Sequence, residues 1–386
     1  NPKFGVDLAQ PDSPTSQFYA QLKVRAILIA DGNPRLLEWL DRALQATDLD
    51  HEKILAALEH KTLPESMTQE VVRFRQDVLL MEVLKQQSPD LRSMLWLGLL
   101  YQQPVPQAAL EAICQDIPYL QLHIGRAASL GVLEVDFPQG DPVGGPSRSA
   151  PLQGNQGCFV RVSRILEEPL QNIGQPDGLP LPDYSEDLYQ QAAQTLYQLW
   201  CQGSRSSTEE QQREIHRLAL LGKQQNIAAE MAIALTEKYL GRSRFREATK
   251  LAHDTLSLGN DYRIQRRLAE AKTYLGDFDG ALKGYEQALL SCPSTDSGER
   301  ARILHYKALV LRDHGAAIDE ALNLLREALE IEESNGYQQN RASTLHEMAG
   351  IYIQQGKLEE ASTLYQQVLE LHELNQDDWG KAATLH

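Results

Sequence analysis

Apolar residues recur at helical spacing over most of this chain, and alternate in the strand manner at only two places. Leu36, Leu37, Trp39, Leu40 and Leu44 make one helical face after Pro34, a good first residue for a helix. His51 to His60 and Thr68 to Gln87 supply two more helices, with Pro64 between them. Ser88-Pro89-Asp90 opens a helix through Leu100, Pro106 opens another to Cys114, and Tyr119 to Ser129 makes a third. Leu133 to Phe137 and Cys158 to Val162 alternate as strands, separated by a Gly/Pro/Ser-rich loop from Pro138 to Gly157. Three helices followed by a hairpin is the order of a winged helix, predicted over residues 89–170. Residues 1–88 are predicted to form a helical domain and 171–183 a Gly/Pro linker.

From residue 184 onward the pattern repeats. Arg300 to His305, Arg341 to His346 and Lys381 to His386 carry one phrase, with leucines at 304, 345 and 385. A second phrase places Ala281, Ala321 and Ala361 at intervals of 40 residues, with Ala248 a further 33 before them. Ala269 and Ala288, Ala308 and Ala328, and Ala349 with Tyr352 and Tyr365 complete the repeats. Small residues let two helix axes approach, and a neighbouring aromatic fills the space beside them. Gly276, Gly315 and Gly356 stand where the first helix of each pair should end. Gly315 lies one residue further from its alanine than the other two, which implies an insertion.

These phrases resemble the tetratricopeptide repeat, in which helix pairs stack into an α-solenoid. The period near 40 exceeds the usual length of that family, so its helices or turns are predicted to be long. The solenoid is assigned residues 184–386, with Tyr184 to Trp200 and Thr208 to Leu221 as its first pair. His386 lies in the first helix of a further repeat and the chain begins without Met, so it reads as part of a longer protein. The fold class is therefore mostly α: a helical domain and a winged-helix domain followed by a repeat solenoid.

The arrangement as a whole looks like the C-terminal portion of the STAND class of signal-transduction ATPases, relatives of the NB-ARC proteins. Gly32-Asn33-Pro34 resembles that class's Gly-x-Pro motif, whose proline lies against the adenine, so Gly32 and Pro34 are the implied nucleotide-edge residues. The class also places a nucleotide-sensing histidine in its winged helix, and the comparable strand end here, Val162-Ser163-Arg164, has none. A P-loop needs G-x-x-x-x-G-K-[ST]. Gly222-Lys223, Gly356-Lys357 and Gly380-Lys381 are each followed by neither Ser nor Thr. No cofactor is expected in this chain, and ATP or ADP would enter only with a nucleotide domain outside it.

Charge and chemistry narrow the function. Lys and Arg number 37 against 53 Asp and Glu, a formal net charge of −16, which argues against wrapping nucleic acid. Between Leu91 and Leu166 five arginines meet five acids, so the winged helix is expected to pack on protein. Cys114, Cys158, Cys201 and Cys292 are scattered without C-x-x-C spacing, which suits free thiols in a cytoplasm. No apolar run is long enough to span a bilayer. No metal, hydrolase or zinc-protease motif appears, and the chain is not expected to be an enzyme. The acidic pairs Glu209-Glu210, Glu332-Glu333 and Glu359-Glu360 are assigned to solvated helix faces.

In tetratricopeptide arrays the first helix of each pair lines a concave groove. That resemblance puts Arg263, Arg266, Glu270, Tyr274, Arg302, His305, Arg312 and His346 on the groove, a ladder suited to an acidic or carboxylate-ended peptide. The expected function is the partner- or trigger-binding part of a STAND-type ATPase, with the winged helix relaying to the nucleotide domain. The alternatives are a free-standing adaptor and a winged-helix transcription regulator.

Overall fold

The computed structural model describes residues 20–27, 34–46, 48–60, 78–136, 158–173, 183–202, 207–314, 317–375 and 377–385. The chain divides into two compact units, Asn1–Ser204 and Arg205–His386.

In the first unit, residues 20–27 and 78–85 are helical, together with α1 (Pro34–Gln45) and α2 (His51–His60). Then come α3 (Pro89–Gly98), β1 (Val105–Pro106), α4 (Gln107–Ile113), α5 (Leu120–Ser129), β2 (Leu133–Asp136) and β3 (Phe159–Val162). Ser88 caps α3, its hydroxyl accepting from Leu91 N, with Pro89 in the first turn. The strands form one antiparallel sheet in the order β1-β3-β2, with Val105 opposite Val160 and Leu133 opposite Val162. Two-residue β1 is too short to show as alternation, and the sequence missed it. Met94, Leu95, Leu110, Ile124 and Val160 fill the space between helices and sheet and are essentially inaccessible. At Gly98 an added Cβ would lie 2.4 Å from Val162 Cγ2, so the absent side chain sets how closely α3 lies on β3.

Two further helices, α6 (Glu167–Asn172) and α7 (Glu186–Cys201), belong to this unit. The sequence placed the helix after Tyr184 at the start of the repeats; instead it packs on the unit before it. Tyr184 stacks on Trp96 with ring centroids 5.2 Å apart and donates to the Trp96 carbonyl at 2.6 Å. Gln191 Nε2 on α7 donates to the Ala112 carbonyl at 2.7 Å.

The second unit is wholly helical among its described residues: α8 (Glu209–Leu221), α9 (Gln225–Gly241), α10 (Phe245–Leu256), α11 (Tyr262–Tyr274), α12 (Phe278–Ser291), α13 (Ser297–Asp313), α14 (Ile318–Asn335), α15 (Gln338–Gln354), α16 (Leu358–Leu374) and α17 (Asp378–Leu385). Each helix packs on the next, and α9 touches α11, α11 touches α13 and α13 touches α15. The helices pair as α9/α10, α11/α12, α13/α14 and α15/α16, the first members forming one continuous wall. Every repeat alanine named from the sequence is buried: 269, 281, 288, 308, 321, 328 and 349 at 0% exposure, 248 at 1% and 361 at 2%. Tyr285 lies among Ala269, Ala281, Ala288 and Ile303, filling the gap between close helices. Gly276 and Gly356 adopt φ of 80° and 75°, the left-handed stop that closes α11 and α15. Gly315 lies outside the described residues, as do Gly32 and the loop from Pro138 to Gly157.

Helix length changes along the array. Helix α11 has 13 residues and α12 has 14, while α13, α15 and α16 have 17 and α14 has 18. The long period read from the sequence is therefore built into the helices of the later repeats.

Candidate partner-binding groove

Residues 263, 266, 267 and 270 recur at i, i+3, i+4 and i+7, so they share the face of α11 that looks toward α9 and α13. Asp261 starts this helix, accepting from Arg263 N at 2.9 Å and Ile264 N at 3.3 Å. The same carboxylate accepts from Arg263 Nη2 at 2.7 Å and fixes that side chain at the groove edge, 43% exposed. Arg266 is buried, at 3% exposure. Its guanidinium pairs with Glu270 at 3.1 Å and with Glu299 on α13, and its Cζ stands 5.7 Å from the Tyr306 ring centroid. Burial works against its charge, but Glu299 and Glu270 more than offset this and raise the Arg266 pKa above the ordinary guanidinium value.

Neighbouring contacts knit the same wall. Arg267 reaches Glu270 and Glu237, each at 3.3 Å. Tyr262 donates to Asp296 Oδ2 at 2.7 Å, while Asp296 Oδ1 accepts from Glu299 N at 3.2 Å. Arg302 touches Glu299 at 3.4 Å and keeps 54% of its side chain exposed. Together Arg263, Arg266, Arg302, Glu299, Tyr337 and Asn340 line a groove of about 480 Å³.

The remaining ladder residues do not line that cavity. Tyr274, 58% exposed, stacks on Phe245 with centroids 4.7 Å apart. Glu270 lies behind Arg266 as its ion-pair partner. Arg312 is held by Asp313 at 2.8 Å and by Glu347 on α15. His346 meets the edge of Tyr365 with centroids 5.2 Å apart. His305 Nδ1 lies 3.1 Å from Thr344 Oγ1, and burial pushes its pKa down. His386 lies outside the described residues; Pro34 is the first residue of α1. The residues read as a ladder thus fall into one groove cluster and several ties between repeats.

One acid departs from the solvated face assigned to it. Glu332 on α14 is 1% exposed, accepts from Thr344 Oγ1 at 3.1 Å through Oε1, and leaves Oε2 buried without a hydrogen-bond partner. Burial raises its pKa to about 7. Its acidic neighbour Glu333 concealed this in the sequence; the helical period, with Leu325, Ala328 and Glu332 on one face, was the available signal. Glu209, from another acidic pair, is bound by Arg242 at 2.8 Å and Arg244 at 2.6 Å.

Among the described residues no group of three or more His, Cys, Asp or Glu could hold a metal ion, and no helix is long and apolar enough to cross a membrane.

Residues 299–374 match the tetratricopeptide repeat family. No curated protein matches the chain. Among solved structures, a STAND protein with a tetratricopeptide repeat sensor from Pyrococcus horikoshii is 12% identical, with a TM-score of 0.46 over 94% of this chain and 55% of its own. This chain therefore spans about half the length of that protein. Aspartyl phosphate phosphatase F from Bacillus subtilis is 11% identical, with a TM-score of 0.41 over 96% of this chain and 78% of its own. MamA from Desulfovibrio magneticus RS-1 is 14% identical, with a TM-score of 0.37 over 51% of this chain and 99% of its own. The C-terminal region of this chain carries tetratricopeptide repeats, and its architecture is that of an α-solenoid.

Proposed function

We propose that the groove between α11 and α13 receives a protein segment bearing a carboxylate, and that the chain is the sensing part of a STAND-type signalling ATPase. Tetratricopeptide repeats make a protein–protein interaction module, and the groove gives this one its chemistry. Arg263 and Arg302 keep exposed guanidinium groups at its edge, while Arg266 is committed to Glu270 and Glu299 and shapes the wall. Exposed guanidinium groups suit a planar anion through paired, charge-assisted hydrogen bonds. This placement of two outward arginines beside Tyr337 and Asn340 is the observation that carries the proposal.

The relay half of the proposal rests on element order. In the first unit α3-β1-α4-α5-β2-β3 follows the winged-helix order and comes after a helical segment, as in the STAND resemblance. Its α5 is oriented toward protein: Arg126 Nη2 donates to both oxygens of Asp48 at 2.6 and 2.7 Å, and Nε donates to Gln87 Oε1 at 3.2 Å. The same groove would serve a free-standing adaptor equally well, and the two readings differ in whether nucleotide governs partner binding.

The test is a pull-down from lysate of the source cells with the natural full-length protein beside an Arg263→Glu/Arg302→Glu variant, each with ATP, with ADP and with neither. A partner captured by the parent and lost by the variant supports the groove. Retention by the variant moves the site elsewhere. Nucleotide dependence of the captured partner supports the ATPase reading, and a natural polypeptide that starts near Asn1 and binds no nucleotide leaves the adaptor.

A further inference from the structure

Helix α11 has a second lined face. Residues 265, 268 and 272 lie about half a turn around the helix from 263, 266 and 270, because each residue advances roughly 100°. Together with the C-terminal end of α10 and one side of α12, this face bounds a second groove of about 570 Å³. The two grooves differ in charge. The first contains Glu237, Asp296 and Glu299 beside its arginines. The second includes no acidic side chain among its lining residues, although the chain carries a net charge of −16.

Its cations are Lys272 and Lys283, and His253 adds an imidazole. Among the described residues, neither Lys283 nor His253 makes an ion pair or side-chain hydrogen bond, and Lys272 has only a 4.0 Å approach to Asp277. Asp277 caps α12 through Oδ1, which accepts from Gly280 N at 3.0 Å, and its Oδ2 is the oxygen that Lys272 approaches. The wall is also stripped of side chains. Gly259, Gly280 and Gly284 line it, and at Gly284 an added Cβ would stand 3.0 Å from Ala269 Cβ, so α12 lies close on α11 there. Ser257, the amides of Asn260, Gln265 and Gln287, and three leucines complete the lining. A cavity of this size, with an apolar floor, amide groups and cations but no carboxylate, has the make-up of a small-ligand site.

We infer that this groove, on the opposite face of α11 from the partner-binding groove, binds a phosphate monoester, its dianion held by Lys272 and Lys283 and its body lying on the leucines. Two lysines answer a phosphate better than a carboxylate, since a phosphate spreads close to two charges over three acceptor oxygens. The phosphate could come from a phosphorylated residue of a peptide or from a nucleoside monophosphate, and both carry the group this site recognises. The site stands independently of the carboxylate-binding proposal, because no residue of one groove lines the other.

Titration calorimetry separates the outcomes, using inorganic phosphate, adenosine monophosphate and a phosphoserine peptide, with the unphosphorylated peptide and adenosine as controls. Lys272→Gln/Lys283→Gln is the principal variant, and Lys283→Gln alone is the exposed substitution that leaves packing untouched. Saturable binding of a phosphorylated probe that weakens at least tenfold in the double variant and several-fold in the single one supports the site. The better of the two organic probes identifies the source. Binding of unphosphorylated and phosphorylated probes alike, binding unchanged in both variants, or no saturable binding of any phosphorylated probe overturns it. Far-ultraviolet circular dichroism of each variant confirms that a loss of binding is not a loss of fold. Arg263→Glu/Arg302→Glu should bind these probes as the parent does.

Discussion

Arg266 on α11 is paired with Glu299 on α13, one repeat further along, and the two side chains keep only 4% and 8% of their surface exposed. A charge buried this far is tolerable because Glu270 and Glu299 both face it. Removing one member leaves the other desolvated and short of a partner. Glu299→Gln should therefore lower the stability of the array by about 3 kcal/mol in urea denaturation. Arg302→Ala, which removes only an exposed contact to the same carboxylate, should cost no more than about 1 kcal/mol. Equal losses from the two variants would show that the Arg266 pair is no stronger than a surface pair.

Glu332 makes stability depend on pH. In the folded chain its carboxyl holds its proton to about pH 7, against an ordinary value of 4.5. Between those values the folded state binds more protons than the unfolded one, so stability falls as pH rises through that window and the loss is complete above about pH 7. Glu332→Gln has no proton to lose. It should match the parent near pH 4.5 and exceed it by at most about 3 kcal/mol at pH 8. Urea midpoints across that range decide it, and parallel pH profiles for the two proteins would contradict the burial argument. His305, reached through Thr344, acts in the opposite sense. Its lowered pKa means stability lost on acidification below the unfolded imidazole's value.

Gly356 isolates a backbone effect. Its φ is 75°, and an added Cβ would meet nothing within 4 Å. Gly356→Ala should cost about 1–2 kcal/mol from conformation alone. The same change at Gly350, inside α15 with the same open space, should stabilise by about 0.5–1 kcal/mol. Thermal melts of the two variants should move in opposite directions.

The hold of Asp48 on Arg126 bears on nucleic acid. Arg126 is the one arginine of α5, and both oxygens of Asp48 engage it. With five acids opposing five arginines from Leu91 to Leu166, phosphate contacts are few. No mobility shift of duplex DNA is expected at 50 mM salt. A shift that disappears with added salt and with Arg126→Ala would reverse that view.

Much of the repeat architecture was legible because its alanines are a steric requirement. Ala269, Ala281, Ala308 and Ala321 sit where helix axes approach, and a longer side chain there would force them apart. Gly276 and Gly356 were legible because a left-handed helix end leaves glycine the least strained choice. The strands at Leu133–Asp136 and Phe159–Val162 emerged from alternation, with β1 too short to alternate. Helix periodicity gave the helix from Tyr184 to Trp200 but not what covers it, and Trp96 and Ala112 lie far from it in sequence. The groove was legible in part. The tetratricopeptide resemblance implied that Arg263, Arg266 and Arg302 share a wall, but Glu299 lies 33 residues beyond Arg266, a distance that repeat spacing does not translate into an ion pair. Glu332 was hidden because the adjacent Glu333 makes an acidic pair of it, although helical phase sets it with Leu325 and Ala328.

The wall helices differ in height, with α11 shorter than α9 before it and than α13 and α15 after it. At 1.5 Å per residue, the 13 residues of α11 span about 20 Å and the 17 of α13 and α15 about 26 Å. The wall is thus about one helical turn lower at α11 than at the wall helices on either side of it. The arginine-edged groove therefore sits at the lowest point of the wall, with a taller helix on each side of it.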